Sequence, residues 1–189
     1  SAEGGSASRL TAHEGEERFA HFDPTGNRIA FSGHYYGNED VFIIDTSGGE
    51  PRQLTYHPAS DQVAGWTPDG KVVFRSHRTD NYHDWELYAV DPEGGFPEKL
   101  PFYRGATVSY EPGGTRVALV HTFLGFHPWK RYQGGYAEKI WIGDPTIPEF
   151  SRITHWEGNE SFPMWDESGR IYFTCDSLGR NNLWSMLPD

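Results

Sequence analysis

Short apolar segments alternate with turn-forming residues along nearly the whole chain, and one pattern occurs four times. In each copy an aromatic residue stands before a tight turn that contains glycine, and an apolar segment of strand length follows. The four copies occupy residues 22–31, 66–74, 110–119 and 165–173. Proline early in a turn presets φ and glycine supplies a positive φ near its end, so the pattern predicts four β-hairpins.

Two further segments recur in a fixed order around these hairpins. An edge-type segment with a long polar residue, an aliphatic residue and usually a threonine occurs at 9–15, 53–59, 99–105 and 152–158. A segment of alternating apolar and polar positions occurs at 40–45, 86–91, 139–144 and 182–187. Both kinds of segment have the length and pattern of β-strands.

The length of the repeat is typical of a propeller blade. Measured on the turn glycine, the repeat is 44 residues from Gly26 to Gly70, 44 again to Gly114, and 55 from there to Gly169. Four strands in a repeat of this size match the blade of a β-propeller. A β-sandwich with evenly spaced strands is disfavoured, because three features keep the same order in four copies.

The sequence therefore predicts an all-β fold, a β-propeller with four recognisable four-stranded blades. We expect residues 1–8 to be a flexible tail and residues 9–189 to form the propeller. Within it, 9–12 is predicted to be the last strand of a preceding or closing blade. The predicted blades are 13–56, 57–102, 103–154 with an insertion at 121–137, and 155–189, which lacks its outer strand.

One strand is spare at the start of this arrangement and one is missing at its end. If the two pair, the ring closes by strand exchange, which removes exposed sheet edges. Closure within one chain predicts four blades, whereas closure between two chains predicts eight blades in a homo-oligomer. A third interpretation is that the four blades are an arc of a larger ring. The sequence leaves these three arrangements open.

The charge and hydropathy of the chain exclude some classes of partner. The net charge of −11 disfavours a nucleic-acid partner, since affinity for phosphate backbones comes largely from clustered lysine and arginine. No run of 18 apolar residues occurs, and the N-terminus lacks a basic stretch followed by an apolar one, so neither a membrane span nor a signal peptide is predicted. The single Cys175 cannot form an intrachain disulfide, which favours a cytoplasmic location. We expect this cysteine to be a small buried residue on a strand.

No set of catalytic residues is visible. The chain contains no Gly-x-Ser-x-Gly motif, and its serines recur at strand ends and turns, where the repeat requires them. The nine histidines do not follow a recognised metal-ligand spacing, and the loops rich in Asp and Asn lack the acidic spacing of a calcium loop. We therefore predict no catalytic residues, no metal site and no cofactor in this chain.

The insertion at 121–137 carries the candidate binding residues. Long connections in compact repeats are often functional, and aromatic residues next to cations suit peptide recognition. The candidates are Trp129, Lys130, Arg131 and Tyr132, with the cations placed to hold the C-terminal carboxylate of a peptide. The alternative is that Trp129 packs against its own blade and the two cations are solvated.

Two motifs resemble a known family. The segments Trp66–Gly70 and Gly48–Thr55 resemble propeller repeats shared by TolB and by tricorn-type peptidases. The segment Trp129–Gly135, followed by Lys139–Ile142, resembles the extended blade in the N-terminal six-bladed propeller of tricorn proteases, where Trp-Lys-x-Tyr-x-Gly-Gly precedes an Ile-Trp-Ile strand. The resemblance extends from Arg9 onward and points to the second through fifth blades of that ring.

This resemblance implies a particular context for the chain. Tricorn proteases carry two propellers, a PDZ-like domain and a catalytic serine-peptidase region, and they assemble into large homo-oligomers that trim peptides. In that family the propeller is an accessory to the catalytic region. The resemblance therefore implies a domain of a peptidase and not its chemistry.

The sequence thus leads to one preferred function and one alternative. We expect a non-catalytic propeller domain that serves as a channel, gate or docking surface for peptides, with a peptide or protein partner and homo-oligomers formed through blade or strand pairing. The alternative is a stand-alone TolB-like interaction propeller, located in the periplasm. A hydrolase made by this chain alone is disfavoured, because no catalytic set is visible.

Overall fold

The computed structural model describes residues 5–79, 84–123, 131–147 and 149–188. Within these ranges the chain forms fifteen β-strands and no helix. The strands are β1 Glu17–Phe22, β2 Arg28–Gly33, β3 Asp40–Asp45, β4 Arg52–Gln53, β5 Asp61–Trp66, β6 Val72–Ser76, β7 Glu86–Val90, β8 Glu98–Lys99, β9 Thr107–Tyr110, β10 Val117–Val120, β11 Ile140–Gly143, β12 Phe150–Arg152, β13 Glu160–Trp165, β14 Ile171–Cys175 and β15 Asn182–Met186. None of the described residues belongs to a helix long and apolar enough to cross a membrane.

The strands form four antiparallel sheets in chain order. Three sheets have four strands each, β1–β4, β5–β8 and β9–β12, and the fourth has three, β13–β15. The first strand of each sheet contacts the first strand of the next, so β1, β5, β9 and β13 are the inner strands of successive blades. This arrangement confirms the predicted all-β propeller with four blades.

The predicted hairpins are present between the first and second strands of every sheet. At the first turn Gly26 N donates to Asp23 O (3.0 Å), and Gly26 has a φ of 73°. The third turn differs, because its positive φ of 68° lies at Gly113 rather than at Gly114. Proline followed by glycine at the two central positions, as in Pro112-Gly113, is the sequence of a type II turn.

The apolar core lies in layers between neighbouring sheets. Alternate residues of β2 and β3 face the second sheet, where Ile43 packs in one cluster with Val63 and Phe74. The third and fourth sheets share a second cluster that includes Ile171 and the fully buried Cys175. Each side chain of this size adds about 1.5–3 kcal/mol when it is fully buried. The core therefore holds the blades face to face.

A buried carboxylate and a threonine hydroxyl join the third and fourth sheets. Glu160 is the first residue of β13 and is fully buried. Its Oε2 accepts hydrogen bonds from Thr154 Oγ1 and from Ile140 N (3.4 Å), and its Oε1 lies 3.4 Å from Lys139 Nζ. Because a buried carboxylate is costly unless it is paired, these bonds determine how β13 sits against the preceding blade.

The first and second sheets meet through a similar polar group. Thr55 Oγ1 accepts a hydrogen bond from Val41 N (2.9 Å) and donates one to Asp40 Oδ1 (3.1 Å). Asp61, the first residue of β5, is fully buried and pairs with Arg78 at 2.6 Å. The Thr55 hydroxyl also lies within hydrogen-bonding reach of the Asp61 carboxylate, so the threonine that recurs in the edge segments links the first blade to the second.

The junction between the second and third sheets is built differently. Pro101 occupies the position of the recurring threonine, and β9 begins with Thr107 instead of an acidic residue. Thr107 Oγ1 is buried and has no hydrogen-bond partner. In place of the threonine link, Arg75 Nη1 on β6 donates to Ala106 O (3.0 Å), directly before β9.

The segment before β1 lies on the face of the first sheet that is turned away from the second sheet. Leu10 and Thr11 line a shallow cavity with Phe31 and Ile44, and His13 stacks on Tyr35 with ring centroids 3.8 Å apart. Residues 9–12 are not in a strand, because a strand needs a hydrogen-bonded neighbour and no described strand pairs with them. Pairing of 9–12 with a preceding or closing blade stays a prediction. Of the predicted tail, residues 5–8 are exposed and residues 1–4 lie outside the described ranges.

We predict that Phe74→Ala lowers the free energy of unfolding by about 3–5 kcal/mol. Phe74 is fully buried between the first two sheets, so truncation leaves a cavity there. The matched control is Phe96→Ala, since Phe96 is 98% exposed, and it should change stability by less than about 0.5 kcal/mol. Urea denaturation of the 189-residue chain followed by circular dichroism measures both. Equal effects of the two substitutions would contradict the predicted core.

We also predict opposite outcomes for two threonines at blade junctions. Thr154→Val should cost about 1–3 kcal/mol, because it leaves the Glu160 carboxylate buried without its hydroxyl partner. Thr107→Val should be neutral or stabilising, since it replaces a buried hydroxyl that has no partner. The same urea titration tests the pair, and destabilisation by Thr107→Val equal to that by Thr154→Val would show that the carboxylate link has no special role.

Candidate functional site

Four aromatic residues meet at one end of the inner strands. Each is the last residue of its strand and occupies the same position in its repeat: Phe22 of β1, Trp66 of β5, Tyr110 of β9 and Trp165 of β13. All four line one cavity of about 440 Å³. Equivalent positions in successive repeats point in the same direction, so the four sheets bring their aromatic residues together. We call this space the axial cavity.

The axial cavity is mainly apolar and has a few fixed polar groups. Trp66 Nε1 donates to the His21 carbonyl (3.0 Å), and the Arg116 guanidinium lies over the Trp165 ring at 5.2 Å. Burial and the nearby Asp69 raise the pKa of Tyr110 to about 12, so its phenol keeps the proton. An apolar space with few polar groups is suited to an organic ligand or an extended peptide.

A buried arginine lies toward the opposite end of the inner strands. Arg75 belongs to β6 and is 1% exposed. Its Nε donates to Gln62 Oε1 (2.9 Å) and its Nη1 to Ala106 O (3.0 Å). Its Nη2 is buried and has no hydrogen-bond partner. Burial lowers the pKa of Arg75 to about 10, so the guanidinium stays charged at neutral pH with an unused donor.

Aromatic rings from three blades surround this guanidinium. Its central carbon lies 3.7 Å from the centroid of the Phe123 ring, 4.7 Å from Phe19 and 5.2 Å from Trp85. Phe123 also meets Phe19 and Phe162 edge to face, at 6.3 and 6.0 Å. Cation–π contacts of a desolvated arginine are stabilising by about 2 kcal/mol. We call this group the Arg75–Phe123 cluster.

Backbone irregularities place two of these rings. Phe19 and Phe162 both have a φ of 54°, and the strand register shifts next to each of them. Gly65 stands at the corresponding shift in β5, with a φ of 149°. A β-bulge re-aims the side chain at the shift, and a positive φ at a bulky residue marks a position that the surrounding structure enforces.

The charge of Arg75 reaches the axial cavity. His21 is exposed to the cavity but is surrounded by protein on most sides, and this desolvation, followed by the positive charge of Arg75, lowers its pKa. The carboxylates of Glu39 and Glu138 favour the charged form of Arg75. The positive charge of Arg75 thus acts on His21 at the cavity, although the chain as a whole is acidic.

The structure describes two of the four predicted binding residues. Trp129 and Lys130 lie outside the described ranges. Arg131 has an exposed side chain and a φ of 53°, and its backbone N donates to Asp176 Oδ2 (2.8 Å) on the fourth blade. Tyr132 is partly buried. Neither Arg131 nor Tyr132 lines the axial cavity, and the peptide-binding role of the four residues stays a prediction.

Sequence reasoning did not select the residues of the axial cavity or the cluster. The four aromatic residues were interpreted as hairpin markers, although their identical position in every repeat was a signal that they converge. Arg75 had a signal too, because it directly follows the apolar run Val72–Phe74 on a strand predicted to be buried. The described residues contain no group of three or more His, Cys, Asp or Glu side chains suited to a metal.

We predict that His21 titrates below 6.5 and that Arg75→Gln moves its pKa upward without reaching that value. Loss of the positive charge favours the imidazolium, whereas the larger contribution, desolvation, remains. Heteronuclear NMR of the histidine rings across pH 4–8 measures the shift. Arg170→Gln, at a residue outside the cavity and the cluster, is the control and should leave the His21 pKa unchanged. An unchanged pKa in Arg75→Gln would mean that the charge does not reach the cavity.

Comparisons with known proteins agree with this architecture. The sequence model described as the tricorn protease N-terminal beta propeller domain matches residues 1–189. The chain is 31% identical over 198 residues to tricorn protease homolog 1 of Streptomyces coelicolor, covering 99% of the chain and 18% of that protein. It is 29% identical over 192 residues to the tricorn protease of Thermoplasma volcanium, covering 96% and 18%.

Structural similarity extends to the TolB-like propellers. The crystal structure of the tricorn protease superposes with a TM-score of 0.82 at 24% identity, over 95% of this chain and 18% of that one. The structure of a putative TolB from Agrobacterium tumefaciens gives a TM-score of 0.63 at 22% identity, over 82% and 52%. The chain spans less than a fifth of the length of these tricorn relatives. It belongs to the family of tricorn protease N-terminal β-propeller domains.

Proposed function

We propose that this propeller is a non-catalytic domain of a tricorn-type peptidase and that it docks and gates peptides along its inner strands. The observation that carries the proposal is the convergence of one aromatic residue from each blade on a single cavity, with a buried arginine toward the opposite end of the inner strands. Family membership supports the peptidase context, because the named relatives are tricorn proteases.

The two ends of the inner strands suit the two parts of a peptide terminus. Apolar side chains fit among Phe22, Trp66, Tyr110 and Trp165, where aromatic contacts stabilise them at little entropic cost. A C-terminal carboxylate suits the unused Nη2 of Arg75, because a charge-assisted hydrogen bond is about twice as strong as a neutral one. Specificity for a free terminus follows from this pairing.

Phe123 is the proposed gate. Its ring lies over the central carbon of the Arg75 guanidinium at 3.7 Å, and in this proposal the ring moves aside when a carboxylate approaches Nη2. Phe123 lies near the start of the predicted insertion. Farther along the same insertion, the backbone N of Arg131 donates a hydrogen bond to Asp176. We therefore keep Trp129, Lys130, Arg131 and Tyr132 as proposed peptide contacts that couple peptide arrival to the position of Phe123.

A second proposal is a TolB-like protein-interaction surface on the outer rim. It is favoured by three aromatic side chains at the outer edges of the first two sheets, Tyr56, Phe96 and Tyr103, which are 76%, 98% and 86% exposed. Exposed aromatic residues are enriched at protein interfaces. The shared propeller fold of TolB supports this alternative, in which homo-oligomers or a protein partner use the rim.

We predict that a pentapeptide ending in leucine with a free carboxylate binds the 189-residue chain at least about tenfold more tightly than its C-terminal amide. Arg75→Gln should abolish this preference, because it removes the positive donor. Phe123→Ala should speed association, because it uncovers the guanidinium. Isothermal titration and stopped-flow tryptophan fluorescence measure both effects.

Arg170→Gln is the matched control for these titrations and should keep the preference for the free carboxylate. If Tyr103→Ala abolishes peptide binding and Arg75→Gln retains it, the peptide binds at the outer rim and not along the inner strands. Peptide cleavage by this chain alone would contradict the non-catalytic role.

A further inference from the structure

A second cavity, of about 480 Å³, lies on the third blade away from the axial cavity. Its floor is Trp141 of β11, which pairs with Leu119 and Arg152 in the sheet and shares their face. Farther from the cavity, the same face packs against the second sheet, and Leu119 belongs to the apolar core there. The segment from Gln133 to Ala137, at the end of the predicted insertion, forms one wall. We call this space the rim cavity.

The rim cavity has flat aromatic walls. His121 stacks on Trp141, with ring centroids 5.3 Å apart and planes inclined by 22°. Burial, followed by the positive charge of Arg104, lowers the pKa of His121, so the imidazole is neutral at neutral pH and presents an uncharged aromatic face. Trp156 stands on another side and packs against Trp184 at 5.0 Å. A planar ring fits against these surfaces.

The positively charged side chains that line the rim cavity differ in how fully they are paired. Arg104 pairs with Asp84 at 3.0 Å but keeps a side chain that is 34% exposed. Lys139 is engaged, because its Nζ donates to the carbonyls of Trp156 and Gly158 and lies near Glu160. Arg152 makes no ion pair with any described residue.

Two arginines that line the rim cavity have a guanidinium N–H group without a hydrogen-bond acceptor. Arg152 Nη2 donates to the Trp156 carbonyl (3.1 Å), but the Nε atoms of Arg152 and Arg104 are buried without a partner. Among the described residues of the lining, Glu157 supplies the single carboxylate. A guanidinium presents donors in a planar fork that matches a carboxylate or a phosphate. The incomplete satisfaction of both arginines therefore points to an oxyanion.

We propose that the rim cavity binds a small aromatic oxyanion. The ring of the ligand lies against His121 and Trp141, and its carboxylate or phosphate accepts hydrogen bonds from Arg152 and Arg104. Aromatic contact and charge act together here, so neither a simple anion nor a neutral aromatic compound satisfies the site. The proposal does not depend on peptide docking at the axial cavity, because the two cavities share no lining residue.

The test is calorimetric titration of the 189-residue chain with phenylacetate and phenyl phosphate. Saturable binding of either compound, weakened by added salt, is the expected result. Tighter binding of phenylacetate would identify a carboxylate ligand, and tighter binding of phenyl phosphate a phosphate ligand. Phenylacetamide, acetate and inorganic phosphate should each bind at least about tenfold more weakly. Equal binding of phenylacetamide would overturn the role of the cations, and absence of saturation by both aromatic anions would overturn the site.

Variants locate the binding. Arg152→Gln should lower the affinity at least about tenfold, while Arg152→Lys keeps the charge and should lose less. Arg170→Gln should retain full affinity, because Arg170 lines neither cavity. Unchanged binding in Arg152→Gln would contradict the proposal. If that variant does not fold, the comparison of phenylacetate with phenylacetamide in the unmodified chain decides the question.

Discussion

Buried polar groups near the start of β5, β9 and β13 hold successive blades in position. Glu160 meets the hydroxyl of Thr154, Asp61 meets the hydroxyl of Thr55, and Arg75 takes this role where the recurring threonine is replaced by Pro101. Apolar packing between sheets is strong but non-directional, so by itself it tolerates a sheet that slides along its neighbour. A buried charge does not tolerate sliding, since losing its partner leaves it unsatisfied in a low dielectric. The junctions thus set the level at which each inner strand begins.

The two cavities follow from that alignment. The aromatic residues that close the inner strands, such as Trp66 and Trp165, lie at the same end of neighbouring blades and reach one cavity. Arg75 is at once a junction residue and the centre of the aromatic cluster, so structure and proposed gating share one side chain. The longer third repeat adds the segment that walls the rim cavity. The axial cavity therefore arises where equivalent positions of the four repeats come together, and the rim cavity arises where the third repeat is longer than the others.

Much of the fold was predictable because it is local and repeated. The four hairpins depend on turn residues that act within a few positions, and the repeat length identifies the blade. The junction at Pro101 was visible only as a missing threonine, and its replacement by Arg75 depends on a contact between residues 31 positions apart. The shift of the third turn to Gly113 and the positive φ of Phe19 and Phe162 were not predictable, since tertiary packing enforces them.

By itself the sequence determined the class of fold, the four blades and the family resemblance, because strand patterns and turn chemistry repeat at a fixed interval and are written in neighbouring residues. It also placed an unusual insertion in the third repeat. Only the tertiary structure decided which side chains meet. Trp66 and Tyr110 are 44 positions apart and share a cavity, and Arg75 lies against Phe123 across a blade boundary. Such meetings depend on how sheets stack, and stacking is fixed by buried charges and bulges whose partners are distant in the chain.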